Sequence, residues 1–234
     1  MSAIANLNVC DEIKAVLEKY DVDFVFQPVY SKFETVVGHE ALMRPNGKFV
    51  LDFIEEMKAD NKLHELELLT FFGATNKYLE RGYDTLLSIN SFPTEVLTED
   101  ELLEYTRCFG MPRDRVIVEM LEYSDDRNWT WNTKKSQIEH NRGVELALDD
   151  YGTGFNDEAA VEYYRPDMIK VDRSLISGID KDEEKQARIK KIIREMHDKL
   201  IVVLAEGIET EEEYKYLKDA GIDFFQGYYL GRPA

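Results

Sequence analysis

The sequence predicts an α/β protein built as a (β/α)8, TIM-like barrel. The first observation is a series of eight short apolar or β-branched runs, each long enough for a strand. The second is that charged segments with helical spacing lie between these runs, so that strand and helix alternate along the 234 residues. Such an alternation predicts a barrel, because each crossover is right-handed and the parallel sheet can close on itself. The alternative is an open doubly wound sheet, but neither GxGxxG nor GxxxxGK[ST] occurs in the sequence.

The predicted elements follow one another without an evident linker or repeat. The strands are predicted at Phe24–Phe26, Val36–Gly38, Leu86–Ile89, Val116–Val118, Val144–Leu148, Met168–Val171, Ile201–Leu204 and Asp223–Phe225. The clearest helical patterns are Phe53–Lys58, Leu66–Leu79, Lys181–Lys199 and Glu211–Ala220. We therefore interpret residues 1–234 as a single domain.

Composition excludes several functional classes. The chain has 29 Lys and Arg against 47 Asp and Glu, a formal charge of −18, which disfavours binding to a nucleic-acid polymer. With 44% hydrophobic residues it can bury a core, and no window reaches the ~20 apolar residues of a membrane span. Because no signal peptide is evident, we expect a cytoplasmic protein. Cys10 and Cys108 lack CxxC spacing, so we expect reduced thiols.

Polar residues lie at the ends of most predicted strands. They are Glu40, Asn90, Glu119, Asp149, Asp150, Lys170, Asp172, Glu206 and Gln226. In a (β/α)8 barrel the carboxyl ends of the strands open onto one face, so these side chains are expected to converge. A single carboxylate there is often a helix cap, but several in one rim would repel one another unless cations bind among them. Oxygen ligands of this kind favour Mg²⁺ or Mn²⁺.

Asp149 and Asp150 are adjacent in the sequence and indicate a two-ion site in which one carboxylate bridges. Two ions ~3.5–4 Å apart stabilise both the attacking and the leaving oxygen of a phosphodiester, so we expect phosphodiester hydrolysis. Lys170 would then orient the attacking water or stabilise developing charge, and Glu206 is a candidate base. The alternative for Lys170 is a structural Lys–Glu pair between two strands. The glycines that follow Asp150 are typical of a mobile loop over the site or of a plain turn.

Several motifs in a fixed order extend this pattern over most of the chain. They are Phe26-Gln27-Pro28-Val29, Glu40-Ala41-Leu42-Met43-Arg44, Ile89-Asn90-Ser91, Val118-Glu119-Met120-Leu121-Glu122, Leu148-Asp149-Asp150-Tyr151-Gly152-Thr153-Gly154, Ile169-Lys170-Val171-Asp172, Ala205-Glu206-Gly207-Ile208-Glu209-Thr210 and Phe225-Gln226-Gly227-Tyr228. With these motifs the chain resembles the EAL domain, the bacterial phosphodiesterase of the second messenger cyclic di-GMP. The resemblance extends over about residues 20–233.

The resemblance implies a barrel with one antiparallel strand that hydrolyses cyclic di-GMP to linear pGpG with two Mg²⁺ or Mn²⁺ ions. It implies metal ligands at Glu40, Asn90, Glu119, Asp149, Asp150 and Asp172. It assigns catalysis to Lys170, Glu206 and Glu40, and substrate contacts to Gln27, Arg44 and Gln226. It places Glu122 and Glu209 as supports of the loop that contains Gly152, Thr153 and Gly154. It also implies a homodimer.

Two departures from the family pattern bear on activity. Asn156-Asp157-Glu158 replaces the usual Ser-rich continuation of the loop, and Pro45 follows Arg44 where the family often has an aromatic residue. Every metal and catalytic position that can be mapped is filled, so we expect an active enzyme. The alternatives are a silent EAL domain that acts as a cyclic di-GMP receptor or protein-interaction module, and a metal-dependent hydrolase of another phosphodiester. The sequence does not identify the regulatory partner, which stays unknown.

Overall fold

Eight strands form a closed barrel in the computed structural model, which describes residues 7–110, 115–121, 144–152 and 156–234. In chain order they are β1 Val22–Ser31, β2 Val36–Pro45, β3 Leu86–Ser91, β4 Val116–Met120, β5 Glu145–Tyr151, β6 Met168–Val171, β7 Val202–Ala205 and β8 Phe224–Phe225. Each of them contains or overlaps one of the eight predicted runs. The predicted barrel is therefore confirmed, and the open doubly wound alternative is wrong.

Strand β1 runs against both of its neighbours. It pairs antiparallel with β2 and with β8, whereas the other neighbouring pairs are parallel. The cause is local, because a turn over residues 32–35 joins β1 to β2, and so short a connection can only make a hairpin. The single antiparallel strand that the resemblance implies is thus confirmed.

Helices surround the barrel. They are α1 Asp11–Lys19, α2 Val50–Ala59, α3 Leu63–Leu68, α4 Ala74–Glu80, α5 Glu99–Phe109, α6 Glu158–Tyr164, α7 Arg173–Ile176, α8 Glu183–Asp198 and α9 Glu211–Ala220. The predicted helix Leu66–Leu79 falls across α3 and α4, which a π-helical turn at Leu69–Gly73 connects. Among the described residues, no helix is long and apolar enough to cross a membrane.

The core has two zones outside the barrel and a smaller plug inside it. Large apolar clusters fill the space between sheet and helices, one around β5–β8 and another around β1–β4. The plug is formed by Val29, Ile117, Ala147, Met168 and Leu204, all nearly inaccessible to solvent. It closes the lower part of the barrel, so polar side chains further along the same strands lie above an apolar floor.

Candidate active site

The polar layer of the barrel follows from the alternation of side chains along each strand. Residues two positions apart point to the same side. Inward residues of the plug are therefore followed, two positions closer to the carboxyl end of the strand, by inward polar residues. The pairs are Ile117 and Glu119 on β4, Ala147 and Asp149 on β5, Met168 and Lys170 on β6, and Leu204 on β7 with Glu206, which directly follows that strand.

Lys170 is the centre of this layer. Its side chain is 1% exposed, and its Nζ lies 2.5 Å from Glu206 Oε1, 2.8 Å from Glu119 Oε2 and 2.9 Å from Asp149 Oδ1. Glu40 Oε2 is further away, at 3.6 Å. One cation thus faces four carboxylates, which come from β2, β4, β5 and the residue directly after β7. The arrangement is more than the simple Lys–Glu pair of the alternative, because one positive charge faces four carboxylates.

The electrostatics of the layer show a deficit of positive charge. Burial opposes the charged form of Lys170, yet the four carboxylates raise its pKa well above the usual value. Burial also raises the pKa of Glu119 to about 8, and the anions of Glu40 and Asp149 add to this rise while Lys170 opposes it. The pKa of Glu206 is raised well above its usual value for the same reasons. A site with so many carboxylates is fully ionised at neutral pH only when further cations bind.

The donor set fits hard divalent ions. Oxygens of Asp149, Asp150 and Glu206 lie within 4.8 Å of one another, close enough to bind one ion. Asn90 Oδ1 and Gln226 Oε1 are buried and lack a hydrogen-bond partner among the described residues, although the amide nitrogens of both side chains donate to Glu40. A buried amide oxygen without a donor is costly, and a cation next to Asn90 would satisfy it. Glu40, Asn90 and Glu119 lie on the neighbouring strands β2, β3 and β4.

A bulge brings Asp150 to the same side as Asp149. Adjacent residues of a regular strand point to opposite sides, but the register between β5 and β6 shifts between Leu148 and Tyr151. Asp150 lies in this bulge, and its backbone φ is +48°. Gly152 follows with a φ of +94°, and a Cβ at this position would lie 2.6 Å from Leu175 Cδ1.

Asn156 holds the end of β5 in place. Its side chain is buried, and its Nδ2 donates to Asp149 O at 2.5 Å and to Met120 O at 3.2 Å. Its own carbonyl accepts from Gly152 N at 3.0 Å. The departure from the Ser-rich pattern is therefore a structural clamp between the ends of β4 and β5. Thr153, Gly154 and Glu122, the other predicted residues of this region, lie outside the described residues.

Two cavities adjoin the carboxylate layer. One, of about 300 Å³, is lined by Gln27, Glu40, Asp149, Lys170, Arg173, Glu206, Gly207, Glu209, Gln226, Gly227 and Tyr228. The other, of about 600 Å³, has more apolar walls and includes Arg44, Leu51, Ile54, Asn90, Phe92 and Asp150 among its lining residues. The predicted substrate contacts Gln27 and Arg44 thus lie in different cavities that share Glu40 and Asp149.

Two predicted residues lie at the edge of the site rather than at its centre. The carboxylate of Asp172 accepts from Ser174 N at 2.9 Å and caps α7, outside the group of oxygens around Asp149. Glu209 accepts from Arg173 Nη2 at 2.8 Å. Their assignments as metal ligand and loop support stay predictions.

Arg173 and Glu213 were missed by the sequence analysis. Glu213 is 3% exposed and accepts from three backbone N–H groups, those of Gly178, Glu209 and Thr210, at 2.8–3.2 Å. Arg173 Nη1 donates to Gly207 O and lies 3.8 Å from Glu213 Oε2. Together these residues fix the segment that follows Glu206. The T-x-x-E capping box at Thr210 was the available sequence signal for Glu213.

Comparison with known proteins identifies the family. The sequence profile of the EAL domain matches residues 11–233. The chain belongs to the EAL domain family. This family of cyclic di-GMP phosphodiesterases is the one that the ordered motifs indicated, and the resemblance is confirmed.

Curated EAL relatives are longer than this chain. The blue light- and temperature-regulated antirepressor BluF of Escherichia coli (strain K12) is 27% identical over 213 residues, which are 87% of this chain and 52% of BluF. The probable cyclic di-GMP phosphodiesterase PdeG of the same organism is 32% identical over 135 residues, 57% of this chain and 26% of PdeG. The chain thus spans about half the length of these relatives or less.

Solved EAL structures agree with the fold. A standalone versatile EAL protein from Vibrio cholerae O395, in its c-di-GMP-bound form, matches with a TM-score of 0.81 at 27% identity, covering 92% of this chain and 93% of the other. The BlrP1 protein of Klebsiella pneumoniae, in a complex with calcium and cy-diGMP, matches with a TM-score of 0.78 at 27% identity, covering 91% of this chain and 56% of BlrP1. Related EAL domains therefore bind the nucleotide and divalent cations.

Proposed function

We propose that this EAL domain hydrolyses cyclic di-GMP to linear pGpG with the help of two Mg²⁺ or Mn²⁺ ions. The observation that carries the proposal is the arrangement of one buried lysine and four carboxylates between two cavities. Both cavities are lined by Glu40 and Asp149, so a ligand larger than a single phosphate group can extend from these carboxylates into both. A cyclic dinucleotide has the matching form, with two phosphodiesters and a base on either side.

The ligand set proposed for the ions comprises Glu40, Asn90, Glu119, Asp149, Asp150 and Asp172. When bound, divalent ions supply charge stabilisation for the phosphoryl oxygens and lower the pKa of water. The chain's own residues then have defined tasks. Glu206, whose pKa is raised in the buried layer, is suited to accept a proton from the attacking water. Lys170 holds Glu206 and Asp149 in position by direct ion pairs of 2.5 and 2.9 Å, and keeps its positive charge next to the reacting phosphate.

The proposed reaction replaces one phosphodiester bond by a bond to water. The water oxygen forms a bond to phosphorus, one ester P–O bond breaks, and the released ribose oxygen takes up a proton. Arg44 faces the larger cavity, where its guanidinium can bind a phosphate oxygen, and Gln27 and Gln226 face the smaller one. Ring opening at one phosphodiester yields the linear dinucleotide.

The test is to incubate purified protein with cyclic di-GMP and Mg²⁺ or Mn²⁺ and to separate the nucleotides by chromatography. We expect linear pGpG from the unmodified chain and from Glu18→Ala, an exposed glutamate of α1, but not from Glu40→Ala. Intact nucleotide with all three proteins would overturn the proposal. Product from Glu40→Ala would overturn the assignment of Glu40 alone. Cleavage of other cyclic dinucleotides at an equal rate would favour a broader phosphodiesterase.

A second candidate function is that of a nucleotide receptor or interaction module without turnover. It is favoured by the similarity to the antirepressor BluF over 87% of this chain. Calorimetric titration distinguishes the two, since a receptor binds cyclic di-GMP in the presence of divalent ions and leaves it intact. The homodimer that the resemblance implies also stays a prediction, and sedimentation of the purified chain tests it.

A further inference from the structure

The segment that carries Cys10 contacts helix α5, which carries Cys108, although 97 residues separate the two cysteines in the sequence. Cys108, near the end of α5, has its Sγ 3.2 Å from Asn8 O, two residues before Cys10. Cys10 N donates to Glu104 Oε1 at 2.7 Å. Glu104 and Cys108 are four residues apart on α5 and therefore on one face of that helix. The segment from Asn8 to Cys10 thus crosses the face of α5 that carries Cys108.

Arg107 links the two cysteines electrostatically. Its Nη2 lies 3.4 Å from Cys108 Sγ and also donates to Asn8 O. Glu104 orients the guanidinium through contacts of 2.7 Å to Nε and Nη2. A guanidinium held in this position stabilises a thiolate that forms beside it. Burial raises the pKa of Cys108, and the charges of Glu104 and Cys10 add to the rise, whereas Arg107 opposes it.

The two thiols differ in accessibility. Cys10 is exposed, whereas Cys108 is half-buried. Both are free thiols in the structure. Exposure makes Cys10 the first to meet a soluble oxidant, and the half-buried thiol beside it is the natural second reactant.

We propose that Cys10 and Cys108 form a peroxide-sensitive pair that oxidises to an intramolecular disulfide. The Cys10 thiolate attacks one oxygen of hydrogen peroxide, the O–O bond breaks, and a sulfenic acid and hydroxide form. The Cys108 thiolate then attacks the sulfenic sulfur, the S–S bond forms, and the oxygen leaves as water. The two thiols lose two electrons and two protons, and one peroxide becomes two waters. The new bond joins the start of α1 to the end of α5, and it closes a long loop of the chain.

The test exposes the purified full chain to hydrogen peroxide, alkylates the remaining thiols, and maps the peptides by mass spectrometry without reduction. We expect a peptide pair that links Cys10 to Cys108, reversal by dithiothreitol, and a higher midpoint of thermal unfolding for the oxidised form. Cys108→Ser should leave a sulfenic acid on Cys10 that dimedone traps, while Cys10→Ser should give no trapped adduct. Arg107→Gln should slow disulfide formation several-fold.

Three results would overturn the proposal or a part of it. If both thiols of the unmodified chain remain open to alkylation, or if only disulfides between chains form, the pair is not a disulfide site. If dimedone labels Cys108 in Cys10→Ser as rapidly as Cys10 in Cys108→Ser, the order of the steps is wrong. If Arg107→Gln oxidises at the original rate, the guanidinium has no part in it. Thermal unfolding of each variant before oxidation shows whether it is folded.

Discussion

Among single residues, Lys170 has the largest expected effect. We predict that Lys170→Met lowers hydrolysis of cyclic di-GMP by about 10²-fold or more, because Glu206 and Asp149 lose the cation that positions them. The same change leaves four carboxylates in one buried layer, so the metal-free protein should lose about 3 kcal/mol of its free energy of unfolding. Nucleotide chromatography and urea unfolding measure the two effects. Lys181→Met, at an exposed lysine, is the matched control, and equal activity of the two variants would refute the role of Lys170.

Asn156 is predicted to support the site without touching the substrate. Asn156→Ala removes the donor to Asp149 O and Met120 O, and each buried carbonyl left without a partner costs about 1–3 kcal/mol. We therefore expect a loss of stability in that range and weaker binding of Mn²⁺, because Asp149 and Asp150 lose their anchor. Isothermal titration with Mn²⁺ alone measures the second effect. Asn76→Ala, whose amide donates to Glu80 within α4, should change neither quantity.

Glu213 connects three parts of the chain. It belongs to the first turn of α9, and its carboxylate accepts from the backbone of the segment after Glu206 and of Gly178 beyond α7. These hydrogen bonds hold the pKa of Glu213 below its usual value, although burial opposes this shift. We predict that Glu213→Gln lowers the free energy of unfolding by about 1–2 kcal/mol at neutral pH and lowers turnover as well. Glu212→Gln, in the same helical turn, is the control for the loss of charge. If both variants unfold at the same denaturant concentration, the network around Glu213 has no special role.

The strands were predictable because their signal is local, whereas several features of the site depend on contacts between distant residues. Each strand is a short apolar run, and the polar residue at its end follows from the alternation of side chains. The bulge at Asp150 has no comparable sequence pattern, because it is defined by the pairing of β5 with β6. Asn156 was noted only as a departure from a family pattern, and its two acceptors on β4 and β5 became visible in the fold. The nearness of Cys10 to α5 was hidden for the same reason.

For the molecule as a whole, the excess of acid predicts a stability that depends on both pH and divalent ions. The pKa of Glu119 is raised to about 8 in the folded protein, against an ordinary value of 4.5, chiefly by burial. Between these two values the folded state binds more protons than the unfolded state, so the free energy of unfolding falls as the pH rises. Lys170 keeps its proton throughout this window, because its pKa is raised. Exposed carboxylates with lowered pKa values, such as Glu34 and Asp60, titrate below this window.

We therefore predict that the metal-free chain in EDTA is less stable at pH 8 than at pH 5.5, by at least about 1.4 kcal/mol, the equivalent of one pKa unit. Urea unfolding at the two pH values measures the difference. Glu119→Gln should reduce this difference in stability, because the amide does not titrate. Repulsion among the surface charges of a chain with net charge −18 also depends on pH, and it persists in that variant. Mg²⁺ or Mn²⁺ should also reduce the difference in stability in the unmodified chain, since bound cations neutralise the carboxylates that otherwise retain protons. If neither Glu119→Gln nor divalent ions alter the pH dependence of the free energy of unfolding, that dependence arises from the surface charges, and the result contradicts the proposed metal site.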